Sequence, residues 1–229
     1  MKITLPNPIS CGIFLSYRCN SECRHCMYAC SPKWSNDWVS LNDLKTILSQ
    51  LSDKILPSPY GVHRVGVNYG LHFTGGEPFL NYPLLLQAVK IAKDYCIPSI
   101  FVETNSYWCI DPGRTIEKLV ELKDSGLDGI LISVNPFIVE YVPFERIENN
   151  ISLSLKFFGY NTIIYQYEFY RQFKETNLRG ILRFEDYLKI HGLKGLEWVE
   201  LIPMGRACYK LRDIFPKYPA KIFFKENCR

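Results

Sequence analysis

Cys19, Cys23 and Cys26 stand in the spacing C-x3-C-x2-C within the segment Cys19-Asn20-Ser21-Glu22-Cys23-Arg24-His25-Cys26. In a chain of 229 residues with nine cysteines, that spacing arises by chance about 0.01 times. The three thiols are therefore read as sharing a ligand. Structural zinc asks for four closed tetrahedral ligands, which His25 or Cys30 would complete, whereas an iron–sulfur cluster held by three thiolates keeps one iron open to a substrate. Unliganded thiols are the third reading, and spacing alone leaves all three standing. The other cysteines, Cys11, Cys96, Cys109, Cys208 and Cys228, stand apart. The odd count favours thiols or metal ligands over a disulfide framework.

Composition bounds the scaffold. With 47% hydrophobic and 22% charged residues the chain is globular rather than disordered, and it is long enough to bury one large core. The net charge of +4 is scattered in ones and twos, so nothing marks a nucleic-acid or anionic-membrane partner. The start lacks the apolar core of a secretory signal and no run approaches the roughly 18 apolar residues of a membrane span; the expected location is the cytoplasm.

Strands and helices alternate around the cysteines. Ile9 to Ser16 reads as a buried strand that leads straight into the cysteine loop. Ser40 with Asp43 forms a capping box ahead of the stripe Leu41, Leu44, Ile47, Leu48 and Leu51. Val65 to Thr74 is a second strand ending at Gly75-Gly76. A helix from Asn81 to Asp94, a strand from Ser99 to Thr104 and a helix capped by Asp111 with Pro112 at its first position follow. Ile130 to Val134, Thr162 to Gln166 and Leu196 to Pro203 are read as the fourth, fifth and sixth strands, with helices at Pro143 to Phe158 and Phe184 to His191. Tyr167 to Gly180 has no assignable period. This alternation implies a parallel α/β sheet; periodicity fits a partial (β/α)6 TIM-like barrel and a doubly wound sheet equally. Both bring ligands to the C-terminal strand ends, where the cysteine loop, Gly75 to Pro78, Asn105, Asn135, Gln166 and Arg206 would converge.

The C-x3-C-x2-C loop after the first strand, together with Gly75-Gly76-Glu77-Pro78 after the second, resembles the radical S-adenosylmethionine (radical SAM) superfamily. The resemblance runs from about Ile9 to Arg206 and selects the partial barrel. It implies that Cys19, Cys23 and Cys26 ligate a [4Fe–4S] cluster whose fourth iron is chelated by S-adenosylmethionine. A one-electron reductant such as flavodoxin or ferredoxin then drives cleavage to a 5′-deoxyadenosyl radical, which abstracts hydrogen from the substrate.

It also implies a cofactor site, position by position. Gly75, Gly76, Glu77 and Pro78 would receive the amino group through a carbonyl or the Glu77 carboxylate. Glu103 and Asn105 would reach the ribose or methionine end. Ser133 and Gln166 would serve the ribose, with Asn135 standing where many members have Asp. Backbone of the segment Pro203 to Ala207 would contact the adenine, and the Arg206 side chain would meet a carboxylate. His25 replaces the usual Phe or Tyr and would lie against adenine. Cys30 is one thiol too many and is read as packed.

The chain is expected to hold a core domain, residues 1–207, and at 208–229 the start of a truncated C-terminal extension of the SPASM or twitch kind, with Cys208 and Cys228 as its first ligands. On that expectation the substrate is a peptide or protein ahead of a small molecule or cofactor precursor. The competing class is a non-catalytic zinc or electron-transfer protein in which Cys19, Cys23, Cys26 and Cys30 close a four-thiolate site.

Overall fold

The computed structural model describes residues 6–35, 37–217 and 219. Five parallel strands form one sheet in the order β1 (Ser10–Ser16), β2 (Gly70–Gly75), β3 (Ile100–Thr104), β4 (Gly129–Ser133) and β5 (Thr162–Tyr165). Between them run α1 (Leu41–Leu51), α2 (Tyr82–Asp94), α3 (Pro112–Asp124) and α4 (Phe144–Phe158), followed by α5 (Tyr167–Glu175), α6 (Phe184–His191) and a single turn, α7 (Ala207–Lys210). This is the partial TIM-like α/β architecture, with strand neighbours in chain order.

Local chemistry sets the element ends. Ser40 caps α1 by accepting from the Asp43 amide, and Asp111 caps α3 by accepting from the Arg114 amide, each satisfying a donor that the first helical turn leaves free. Side chains facing the helices build the core: Leu44 and Leu48 from α1, Leu85, Ala88, Val89 and Ala92 from α2, Leu119 and Leu122 from α3, against Ile13, Phe73, Val102, Ile130 and Ile132 from the sheet. Alternate strand residues point the other way. The register sets Gly12 beside His72 and His72 beside Phe101; one step up lie Phe14, Thr74, then Glu103, Leu131 and Ile163; above these, Ser133 pairs with Tyr165.

Two expectations change. The segment Leu196 to Pro203 is not a sixth strand: a short 3-10 turn spans Leu193–Leu196 and the residues after it join no ladder. Leu196 and Val199, three residues apart, are both buried in the core, a turn-like spacing in place of the two-residue alternation a strand needs. Tyr167 to Gly180 begins with α5. Gln166, in the left-handed region at φ 65°, turns the chain straight from β5 into that helix.

Candidate active site

A cavity of about 590 Å³ opens at the C-terminal ends of the strands. Of the residues singled out in the sequence, Cys19, Cys23, His25, Cys26, Gly75, Gly76, Glu103, Asn105, Ser133 and Gln166 line it, joined by Cys30. Glu77, Pro78, Asn135 and Arg206 do not.

The cysteine loop is pinned on three sides. Ser31 ties its ends together, donating to the Tyr17 carbonyl (3.3 Å) and accepting from the Cys19 amide (3.2 Å). Outside, the Arg24 guanidinium bonds both Glu140 oxygens and Glu185 (2.6 Å) and lies over the Phe184 ring. Beneath, Arg206 is 5% exposed and donates to the carbonyls of Cys23 (2.9 Å), Ala29 (2.9 Å) and Cys30 (2.6 Å), while its backbone amide donates to the Cys26 carbonyl (3.0 Å). Gly205 lets it approach: a Cβ there would stand 2.2 Å from the Met27 carbonyl oxygen. The expected contact of the Arg206 side chain with a carboxylate is thus corrected, because its planar fork of donors is used on loop carbonyls.

Gly75 and Gly76 are required by the same close approach. Gly75 has φ +116°, and a Cβ on Gly76 would lie 1.8 Å from the Arg18 carbonyl oxygen. Glu77, expected to face an ammonium, turns the other way. Only 1% exposed, its carboxylate accepts from the Phe79 amide (3.2 Å), the Thr104 hydroxyl (2.9 Å) and the Asn105 amide (2.8 Å). It braces the glycine turn against the end of β3. Burial pushes its pKa up to about 7 against the pull of those donors. Pro78 opens a buried 3-10 turn, Pro78–Asn81.

Asn105 joins this brace to the thiols. Its side-chain amide donates to Asn20 Oδ1 (2.8 Å) and stands 3.8 Å from Cys19 Sγ, which also receives the Ser21 amide (3.4 Å). Across the cavity, Asn135 donates to Gln166 Oε1 (2.9 Å), lies 3.3 Å from His25 Nε2, and caps the amides of Phe137 and Ile138. The His25 ring stacks on Phe137 with centroids 4.8 Å apart, and its Nδ1 is buried without a partner. Burial, reinforced by Arg206, lowers its pKa to about 4, so the ring is neutral.

The thiols differ. Burial raises Cys19 to about 12 and drives Cys23 well above the ordinary range, whereas Cys26 falls to about 6 chiefly because the Cys30 thiol donates toward it. Cys30 is held protonated and also lies 3.4 Å from the Gly75 carbonyl. Its side chain is buried. Cys208 is exposed and contacts the Pro203 carbonyl, and Cys228 lies outside the described residues.

Sequence reasoning missed the inward residues His72, Thr74, Tyr165 and Glu200 and the outer clamp Arg24–Glu140. The signal for the first two was present: in β2, His72 and Thr74 are polar at a period of two beside apolar Leu71 and Phe73.

The radical SAM superfamily model matches residues 13–137, just over half of the chain. The chain belongs to the radical SAM superfamily. It is 24% identical over 146 residues to the peptide biosynthesis protein YydG of Bacillus subtilis, covering 64% of this chain and 42% of that protein. It is also 24% identical over 185 residues to the 7,8-dihydro-6-hydroxymethylpterin dimethyltransferase of Methanocaldococcus jannaschii, covering 77% of this chain and 33% of that enzyme. This radical SAM chain therefore spans less than half the length of these curated relatives. Among solved structures, anSMEcpe with bound AdoMet and Kp18Cys peptide aligns with a TM-score of 0.47 and 14% identity over 76% of this chain and 52% of that one. No helix among the described residues is long and apolar enough to cross a membrane.

Proposed function

We propose that this chain holds a [4Fe–4S] cluster on Cys19, Cys23 and Cys26, binds S-adenosylmethionine across the strand ends, and modifies a peptide or protein by hydrogen abstraction. The observation that carries the reading is the three-cysteine loop, closed by Ser31 and seated on Arg206, with its thiols lining the cavity that Gly75 and Gly76 also line.

The residues fit the group. Of the three sulfurs, that of Cys19 meets a backbone and a side-chain amide donor, and a buried guanidinium beneath the loop offsets the negative charge of three thiolates. No three His, Cys, Asp or Glu side chains among the described residues close on one point as ligands of a single ion do; thiolates on a cubane bind separate irons and need no such point. When bound, cluster and S-adenosylmethionine together supply a 5′-deoxyadenosyl radical.

The chain's own residues do the rest. Gly75 and Gly76 present backbone to the cofactor's amino group; the Glu77 carboxylate acts by bracing that turn. Asn105, Ser133 and Gln166 offer donors and acceptors to cofactor hydroxyls. The neutral His25 ring, fixed on Phe137, offers a flat face to adenine. Arg24 and Arg206 hold the loop in place before any ligand arrives, and the enclosed strand ends limit water at the reacting atoms. The peptide class is supported by the name of the Bacillus relative. The core domain, residues 1–207, would sit in a longer architecture with auxiliary ligands beyond it.

The test is anaerobic. After reconstitution with iron and sulfide and reduction by flavodoxin or dithionite, added S-adenosylmethionine is expected to yield 5′-deoxyadenosine. Zinc without iron, with Cys30 as a fourth ligand, or a cluster that binds S-adenosylmethionine without ever cleaving it, sinks the proposal.

A further inference from the structure

The cavity continues below the strand ends into the concave side of the sheet, where its chemistry changes. The Glu103 carboxylate accepts a short hydrogen bond from the Thr74 hydroxyl, and its other oxygen lies 3.6 Å from His72 Nε2. His72 fills the space that Gly12 leaves open; a Cβ on Gly12 would stand 2.5 Å from that nitrogen. Phe14, Leu131 and Tyr165 line the same floor, and the Tyr165 hydroxyl bonds Glu200 (3.3 Å) at the rim. Burial lowers the pKa of His72, partly offset by Glu103, so the ring is a neutral neighbour.

The floor therefore holds a carboxylate without a cation. Among the described residues, no lysine or arginine lines this cavity, while Glu103 and Glu200 both do. The Glu103 side chain is 33% exposed, enough to be reached from the cavity and too enclosed for full hydration. A partly desolvated carboxylate with only a hydroxyl and a neutral imidazole beside it gains most from a partner that brings positive charge.

Its depth argues against the cofactor as that partner. Glu103 lies two residues below Asn105, about 6.6 Å at ~3.3 Å rise per residue, and it is Asn105 that stands against Cys19. An extended aliphatic stem bridges that depth.

We infer that Glu103, oriented by Thr74 and flanked by His72, is a substrate subsite for the ammonium or guanidinium of a basic residue, anchoring it on the cavity floor so that its stem runs up toward the thiols. This rests on the peptide-modifying reading and departs from the assignment of Glu103 to the cofactor.

The experiment uses two capped pentapeptides, acetyl-Gly-Gly-X-Gly-Gly-amide with X lysine or norleucine, titrated calorimetrically into the full chain, iron-loaded with S-adenosylmethionine and also metal-free. Wild-type protein is expected to bind the lysine peptide about 10-fold more tightly, the scale of one charge-assisted contact. In Glu103→Gln the ratio is expected to fall to about one, with S-adenosylmethionine binding by equilibrium dialysis unchanged. Thr74→Val is expected to reduce the ratio without abolishing it. Equal affinities in wild-type protein overturn the inference, and so does loss of S-adenosylmethionine binding in Glu103→Gln, which would return Glu103 to the cofactor. A preparation that never forms 5′-deoxyadenosine while keeping the lysine preference defeats the radical reading and leaves the subsite standing.

Discussion

Replacing Arg206 by leucine removes the donors beneath the cysteine loop while keeping an apolar stem in place. Three carbonyls, those of Cys23, Ala29 and Cys30, lose a partner at 2.6 to 2.9 Å, and the bonds to Cys23 and Cys30 are buried. A hydrogen bond to a charged group is worth about 1.5–3 kcal/mol, and an orphaned buried carbonyl costs on a similar scale. The Ala29 contact is only partly buried and water can replace it. Arg206→Leu is therefore expected to cost about 3–5 kcal/mol, or about 10 °C of melting temperature at this chain length. It also removes the positive charge beside the thiols. In reconstituted protein that charge favours the more negative, reduced cluster, so the variant's midpoint potential should move lower. Arg206→Lys keeps the charge but not the fork, so it is expected to lose stability while holding most of the potential. Anaerobic thermal denaturation with iron quantitation, and a redox titration followed by electron paramagnetic resonance, read the two effects separately. Full iron loading, an unchanged melting temperature and an unchanged potential in Arg206→Leu would refute the loop-clamp argument.

Cys23→Ala is expected to abolish iron retention and 5′-deoxyadenosine formation, whereas Cys30→Ala keeps both; equal loss would make Cys30 a ligand. Gly76→Ala drives a methyl into the Arg18 carbonyl oxygen, 1.8 Å away, and is expected to cost about 3 kcal/mol with a visible fall in iron content. The pKa of Glu77 is raised from 4.5 to about 7, so the folded chain prefers its protonated form. Metal-free stability should then fall as pH rises between about 4.5 and 7, by up to ~3 kcal/mol. Glu77→Gln should flatten that slope in urea melts taken across the range, and an unchanged slope would show that Glu77 titrates normally.

Much of the scaffold was legible because it is written in local chemistry. The caps at Ser40 and Asp111, the helical stripe of α1 and the apolar runs of β1, β3 and β4 depend on neighbours within a turn or two, so spacing alone reveals them. The cysteine spacing and the Gly75-Gly76 pair carry chemistry for the same reason: they concern which atoms can approach one another along a short stretch of chain. Leu196 to Pro203 was misread because its apolar residues suit either a strand or a turn, and only packing of Leu196 and Val199 into the core decides.

Direction was what the chain order could not convey. Glu77 and Arg206 are polar residues at strand ends and invite a ligand-binding role. Yet one carboxylate is consumed by Thr104 and Asn105, 27 and 28 residues away, and the guanidinium by carbonyls 176 to 183 residues away. Glu103 reads as a companion of Asn105, but the pleat and the parallel register turn it onto the concave face beside His72 and Thr74. The amino-acid sequence by itself determined that three thiols share a loop at the end of the first strand and that parallel strands carry it. Tertiary structure alone decided which charged groups hold that loop and which are left facing the cavity. A buried charge must find its partner in space, and that partner can lie anywhere along the chain.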